Sequence, residues 1–253
     1  MLIKRYNFDT DIQIFNLGDV HRGDNGCNVK LFHKTIKEIK SREQARWVST
    51  GDLLNVALKQ SKSDVYKSKP LGEELKLLVE ELSEISDKCL GIVESNHHRR
   101  FDKEAGMSLD EIICDRLQIP FLGKMGVMNI TCGRASYYVV LHHGTGGGRR
   151  RGSKTNSTEE LGELIPAADV YMEGHTHSFD HFINEVAYID KKRNLLMYQQ
   201  STFVVTGHYL QWEESYAMDW KLRPRPQGSS VVGLKAFPVG KSEYKKIHVE
   251  LFK

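Results

Sequence analysis

The sequence predicts an α/β fold. Strand-like and helix-like stretches alternate along the chain, the apolar runs are short, and several of them end at Gly, Asp, Asn or His. No internal repeat, low-complexity block or Pro-rich linker interrupts this alternation. The run containing Ile12, Ile14 and Phe15 reads as the first strand of a buried sheet and leads into Asn16-Leu17-Gly18-Asp19-Val20-His21. Val29, Phe32, Ile36 and Ile39 then recur at helical spacing up to Ser41, with Asn28 in the N-cap position. Residues 46–50 form the next strand and end at Gly51-Asp52.

Residues 70–86 give the clearest helix. Its Leu71, Leu75, Leu78, Val79, Leu82 and Ile85 make one apolar stripe, which is core rather than a cofactor site. Residues 89–93 are a third strand, ending in Glu94-Ser95-Asn96-His97. Ser108 with Glu111 three residues on is a capping box that opens another helix. The β-branched and aromatic run 136–141 leads into His142-His143-Gly144, a short helix over 158–165 precedes Pro166, and strand 169–172 ends in Glu173-Gly174-His175-Thr176-His177. Strand-like runs 182–189 and 195–205 flank a turn at Lys191-Lys192-Arg193-Asn194. An irregular Arg- and Pro-containing segment follows at 221–228. Neither it nor the Gly-rich stretch 144–152 has linker composition, so one domain is expected over 1–253, with a motif-bearing part at about 10–205 and a β-rich completion at 206–253.

Bulk properties exclude several classes. The 253 residues are 40% hydrophobic and 27% charged, ordinary for a globular protein. A net charge of +3 is too mild to force a nucleic-acid reading by itself. The opening six residues show no signal-peptide pattern, and no apolar run reaches membrane-span length. The four cysteines are scattered without Cys-x-x-Cys spacing, the pattern of reduced, buried thiols in a cytoplasmic protein.

The chemistry collects at strand ends. Asp19 and His21 are two residues apart and project alike, at the sheet edge where open α/β folds place their sites. One such pair is commonplace. Here Asp52 with Asn55, Asn96 with His97, His142 with His143, and His175 with His177 repeat the theme. Carboxylate, amide and imidazole groups without thiolate suit Mn²⁺, Fe, Zn²⁺ or Ni²⁺. So many donors suggest two metals sharing a carboxylate, about 3.5–4 Å apart. Asn55 reads better as a supporting residue than as a ligand. His33, His181 and His208 lack motif context and read as ordinary polar residues.

In order, Gly18-Asp19-Val20-His21, Gly51-Asp52-Leu53-Leu54-Asn55, Ser95-Asn96-His97-His98, His143-Gly144 and Gly174-His175-Thr176-His177 resemble the motifs of the calcineurin-like metallophosphoesterase superfamily. The resemblance implies a sandwich of two mixed β-sheets flanked by helices. It also implies two divalent metal ions, Mn²⁺ foremost. Asp19, His21 and His177 would hold one, Asn96, His143 and His175 the other, and Asp52 would bridge them. His97 would face the scissile phosphate, stabilising charge or protonating the leaving oxygen, and metal-activated water would attack. His143, directly before Gly, is the expected ligand; His142 would point to the opposite strand face. Two departures stand out: Ser95 and His98 occupy positions where the family usually has Gly and an acidic residue.

Two basic clusters follow the motifs. His98, Arg99 and Arg100 come directly after the third strand, and Arg149, Arg150, Arg151 and Lys154 follow Gly146-Gly147-Gly148. Guanidinium forks and Gly-loop amides suit phosphates, while a solvated flexible loop is the plain reading of the arginine run. The expectation is a phosphodiesterase acting on nucleic acid or nucleotides. The alternative is a phosphomonoesterase acting on a phosphoprotein or small metabolite. A binding module on a degenerate site would lack ligands, and all seven are present.

Overall fold

Side-chain alternation along the strands sets the layers. The computed structural model describes residues 3–57, 69–145, 151–215, 218, 223–236 and 247–253. Strands β1 (Lys4–Phe8), β2 (Ile12–Asn16), β3 (Ala45–Ser49), β4 (Cys89–Ile92), β5 (Met125–Cys132), β6 (Ala135–His142), β7 (Val170–Glu173), β8 (Asp180–Asp190), β9 (Leu195–Val205), β10 (Ser229–Leu234) and β11 (Ile247–Phe252) form two mixed sheets. The six-stranded sheet runs β1-β5-β6-β7-β9-β8 and the five-stranded sheet runs β11-β10-β2-β3-β4. Helices are α1 (Val29–Ser41), α2 (Leu71–Ser83), α3 (Asn96–Ala105), α4 (Leu109–Leu117) and α5 (Arg151–Leu164).

In β2, Ile12 and Ile14 face the other sheet while Phe15 faces the helices. In β6, Tyr137, Val139 and Leu141 point between the sheets, and Val140 points towards α5. Met172 and Val204 repeat the inner position, Tyr171 and Phe203 the outer one. This period-two alternation fills three apolar layers: α1, α2 and α4 on the five-stranded sheet, sheet on sheet, and α5 on the six-stranded sheet.

The expected helices form with the expected caps. Asn28 accepts a hydrogen bond from the Leu31 amide, and Ser108 accepts one from Glu111. The four cysteines are free and buried. Three elements depart from the sequence expectation. β1 and β5, which the sequence expectation lacks, pair in parallel as one side of the six-stranded sheet. Asn96 to Arg100 is the first half of helix α3 rather than a loop after a strand, because Ser95 caps it by accepting from the His98 amide. Arg151 and Gly152 belong to α5 rather than to a Gly-rich loop. Beyond 205, β10 and β11 add to the five-stranded sheet, β10 pairing directly with β2.

Parallel pairing of β2 with β3, and of β3 with β4, brings three carboxyl ends together. Backbone bonds continue the first ladder past the strands: Leu17 to Val48, Asp19 to Gly51, His21 to Asp52 and Arg22 to Leu53. β6 and β7 run parallel in the opposing sheet and deliver their carboxyl ends too. Among the described residues no helix is long and apolar enough to cross a membrane.

Trp47 anchors the helical side. It is fully buried, and its indole N–H donates to the Ile85 carbonyl at 2.7 Å. Trp47→Ala is expected to destabilise the fold by about 3–5 kcal/mol. Trp47→Phe, which loses the donor and leaves part of the indole volume empty, should cost less, about 1–3 kcal/mol. Urea unfolding monitored by circular dichroism measures both.

Candidate metal centre

Five strand ends converge on one buried cluster, and the backbone is bent to achieve it. Asp19, His21, Asp52, His175 and His177 all have positive φ, between 47° and 66°, which only eight non-glycine residues among those described adopt. Each such conformation costs on the order of 1 kcal/mol or more. Strain concentrated on the side chains that converge is the signature of a site held by its surroundings rather than by local preference. Two glycines are sterically required. At Gly51, φ is +99° and a Cβ would lie 2.8 Å from His143 Nδ1; at Gly174 a Cβ would lie 2.7 Å from Asp19 Oδ2.

The converging donors form overlapping groups. Asp19, His21 and His177 offer three ligand atoms mutually within 4.8 Å, and Asp52, His143 and His175 offer three more; His21, Asp52 and His97 overlap both regions. His21 Nε2 lies 3.0 Å from His177 Nε2, and His177 Nε2 lies 3.3 Å from Asp19 Oδ1. His143 Nε2 lies 3.3 Å from Asp52 Oδ2. Ligands about 2.1 Å from one ion are separated by roughly 3.0–3.4 Å in octahedral or tetrahedral spheres, so these spacings suit a divalent cation. Asn96 Nδ2 is 2.9 Å from His175 Nδ1, which brings Asn96 to the second group.

Asp52 stands between the groups. Its Oδ1 accepts from Ser95 Oγ and from the His97 amide. Among the described residues its Oδ2 has no hydrogen-bond donor, and it faces His143 at 3.3 Å and both His21 and His97 Nε2 at 3.8 Å. Burial alone would raise its pKa, but the surrounding imidazoles, His143 foremost, outweigh that and hold Asp52 ionised well below the usual carboxylate range.

The imidazoles are biased in complementary ways. Burial holds His21, His97 and His175 below the ordinary histidine value, His97 at about 4, so these rings are neutral and their lone pairs available. His143 differs. Its Nδ1 lies 2.6 Å from the Thr50 carbonyl, which can only accept, so Nδ1 carries a hydrogen and Nε2 meets the Asp52 carboxylate. Burial opposes protonation there, yet Asp52 pushes His143 up to about 9. A proton at Nε2 and a cation are thus alternative ways to reconcile two lone pairs at 3.3 Å. The buried Asn96 Oδ1, likewise without a hydrogen-bond partner among the described residues, completes a donor set that fits hard to borderline divalent ions.

Not every expected site residue faces this cluster. His98, expected to contact substrate, is turned inward. It is fully buried, its Nδ1 lies 2.6 Å from Asp110, and its Nε2 accepts from the Leu54 amide. Helix geometry is the reason: successive residues point about 100° apart, so His97 and His98 cannot share a face. Asp110 also accepts from the Ser95 amide, so an acidic residue from α4 supports the turn that carries Asn96 and His97. Arg99 is exposed and 3.6 Å from Glu94, whereas the charge of Arg100 is felt by His97. Arg149 and Arg150 lie outside the described residues. His142 is half-buried beside Glu173, and Asn55 donates to Asp24 rather than joining the cluster.

His208 joins the site although its sequence context gave it no role. Its ring stacks on His177 with centroids 5.3 Å apart and planes at 13°. The signal was available: Val204-Val205-Thr206-Gly207-His208 is a further strand ending in Gly-His. Lys154 is buried too, and its ammonium donates to the Thr176 carbonyl between the two ligand histidines. Burial, with the nearby Arg225 charge, lowers Lys154 to about 7.

Comparison with protein-family profiles gives no match, and a search of curated protein sequences gives none either.

The Asp110 carboxylate holds both the His98 ring and the Ser95 amide. Asp110→Asn is expected to cost about 2 kcal/mol of stability, measured by denaturant titration. A cost below about 0.5 kcal/mol would contradict this role.

Proposed function

We propose that this protein is a metal-dependent phosphoester hydrolase of the calcineurin-like metallophosphoesterase type, acting on phosphodiesters of nucleic acid or nucleotides. The observation that carries the reading is the pair of donor groups with the ionised Asp52 between them, its Oδ2 aimed at both. In this reading Asp19, His21 and His177 hold one divalent ion and Asn96, His143 and His175 the other, with Mn²⁺ the leading candidate. When bound, such a pair supplies Lewis-acid charge to phosphate oxygens and lowers the pKa of water. The two-sheet fold and the order of the motifs agree with this family, and the chain departs from it at Ser95 and His98.

The chain's own residues have definable tasks. Ser95 and the His97 amide fix Asp52 through one oxygen, leaving the other oriented towards the cluster. Thr50 fixes the His143 ring through its carbonyl. Hydrolysis forms a phosphorus–oxygen bond from water, breaks the ester bond and leaves a proton demand on the departing oxygen. His97, neutral above about pH 4, is suited to donate a hydrogen bond to that oxygen or to a phosphoryl oxygen. Arg100, whose charge reaches His97, adds cationic character suited to an anionic substrate.

Metal-stripped protein given Mn²⁺ should hydrolyse bis(p-nitrophenyl) phosphate in preference to p-nitrophenyl phosphate; the opposite preference would move the activity to phosphomonoesters. Asp52→Ala should reduce the metal content found by elemental analysis from two per chain to fewer than one, and two retained ions would remove Asp52 from the bridging role. His97→Ala should retain both metals and lose about a hundredfold or more in kcat. Because His97 stays neutral, the wild-type rate should show no step attributable to it between pH 5 and 9.

A further inference from the structure

Beside the Asp19–His21–His177 group lies a set of hydrogen-bond donors that the hydrolytic reading leaves unused. His208 is 5% exposed and its Nδ1 accepts from the Leu210 amide at 3.2 Å. That fixes the neutral tautomer, so Nε2 carries the hydrogen. This Nε2 is buried and has no partner among the described residues, and the same holds for the Thr176 hydroxyl. Lys154, 6% exposed, spends one ammonium hydrogen on the Thr176 carbonyl and has two left. The guanidinium of Arg225 acts electrostatically on both Lys154 and His208, so the three side chains share one region.

Among the described residues no acceptor meets the His208 Nε2 hydrogen or the Thr176 hydroxyl. Asp19 is the carboxylate that acts on Lys154, and both its oxygens already accept from the His175 amide, at 3.1 and 2.9 Å. A buried N–H left unpaired, next to two cationic side chains, is a standing cost that a bound anion removes. Ser/Thr hydroxyl, imidazole N–H, ammonium and guanidinium together make a phosphate-binding donor set.

We propose that Lys154, Arg225, His208 and Thr176 form an anion subsite that receives a second phosphate of the substrate, next to the one cleaved. This rests on the hydrolase reading for the identity of the neighbouring site, and it narrows the substrate class to molecules carrying two adjacent phosphates. Such a phosphate is either the next phosphodiester of a nucleic-acid strand or the outer phosphate of a nucleoside polyphosphate. The segment containing Arg225 reaches the site because Gly228 donates to the His208 carbonyl and Gln227 accepts from Asn28.

The test uses the full chain stripped of metal, so that binding is read independently of turnover. Pyrophosphate and orthophosphate are titrated by calorimetry into wild type, Lys154→Met, His208→Phe and Arg225→Gln, with circular dichroism confirming the fold of each. Wild type should bind pyrophosphate, and Lys154→Met and Arg225→Gln should each weaken that binding about tenfold. Arg225 is only half-buried, so Arg225→Gln carries the test if Lys154→Met does not fold. No pyrophosphate binding by wild type, or unchanged binding by folded variants, overturns the subsite.

The thymidine dinucleotide with a 5′-phosphate, against the same dinucleotide without it, reads the strand arm. Adenosine diphosphate against the monophosphate reads the nucleotide arm. A gain in either pair supports the subsite and assigns its source, and a gain in neither overturns it. Absence of metal-dependent phosphoester hydrolysis, with pyrophosphate still bound, would overturn the catalytic reading and not this one.

Discussion

The carboxylate of Asp52 is the constraint on which the site depends. It is buried, and it remains ionised because His143, raised to about 9 by the pairing, lies 3.3 Å from its free oxygen. One oxygen is consumed by Ser95 and the His97 amide, so the other has a defined direction. His143, His21 and His97 all face that oxygen. An isolated buried carboxylate would protonate or drag in water. Here the protein instead aims imidazole nitrogens at it, and the arrangement is satisfied by protons or by divalent ions.

Holding such a group of polar atoms requires rigidity elsewhere. The sandwich supplies it through parallel strands whose hydrogen-bond ladder continues into the ligand turns, from Leu17–Val48 to Arg22–Leu53. Asn16 adds a side-chain clamp on Thr50, accepting from its amide and donating to its hydroxyl at 3.0 Å each. Tyr209 ties the loop after β9 to Asp19 through a backbone bond at 3.1 Å. With these bonds in place the left-handed conformations at Asp19, His21, Asp52, His175 and His177 are sustained by the fold. The same ties bring His208 onto His177 and place a donor-rich flank next to the candidate metal groups.

The support beneath Asn96 and His97 is one connected network. A carboxylate from α4, Asp110, is bonded to both the Ser95 amide and the His98 ring. The Ser95 side chain both caps α3 and holds Asp52. Ser95 thus links Asp110 to Asp52.

Much of this was legible in the sequence because it is encoded over short distances. Period-two alternation in β2 and β6, the apolar stripe of α2 and the caps at Asn28 and Ser108 are local patterns. So is the placement of Asp19, Asp52, Asn96, His143, His175 and His177 directly after strands. Sequence alone therefore determined the α/β class, the donor types and their order. Tertiary structure decided which donors meet, that His98 is buried against Asp110, and that His208 and Lys154 flank His177. It also decided that strands β10 and β1, at opposite ends of the chain, complete the two sheets. These outcomes depend on pairings and desolvation between residues far apart along the chain. A charged or polar side chain reads the same locally whether solvent or another segment will cover it.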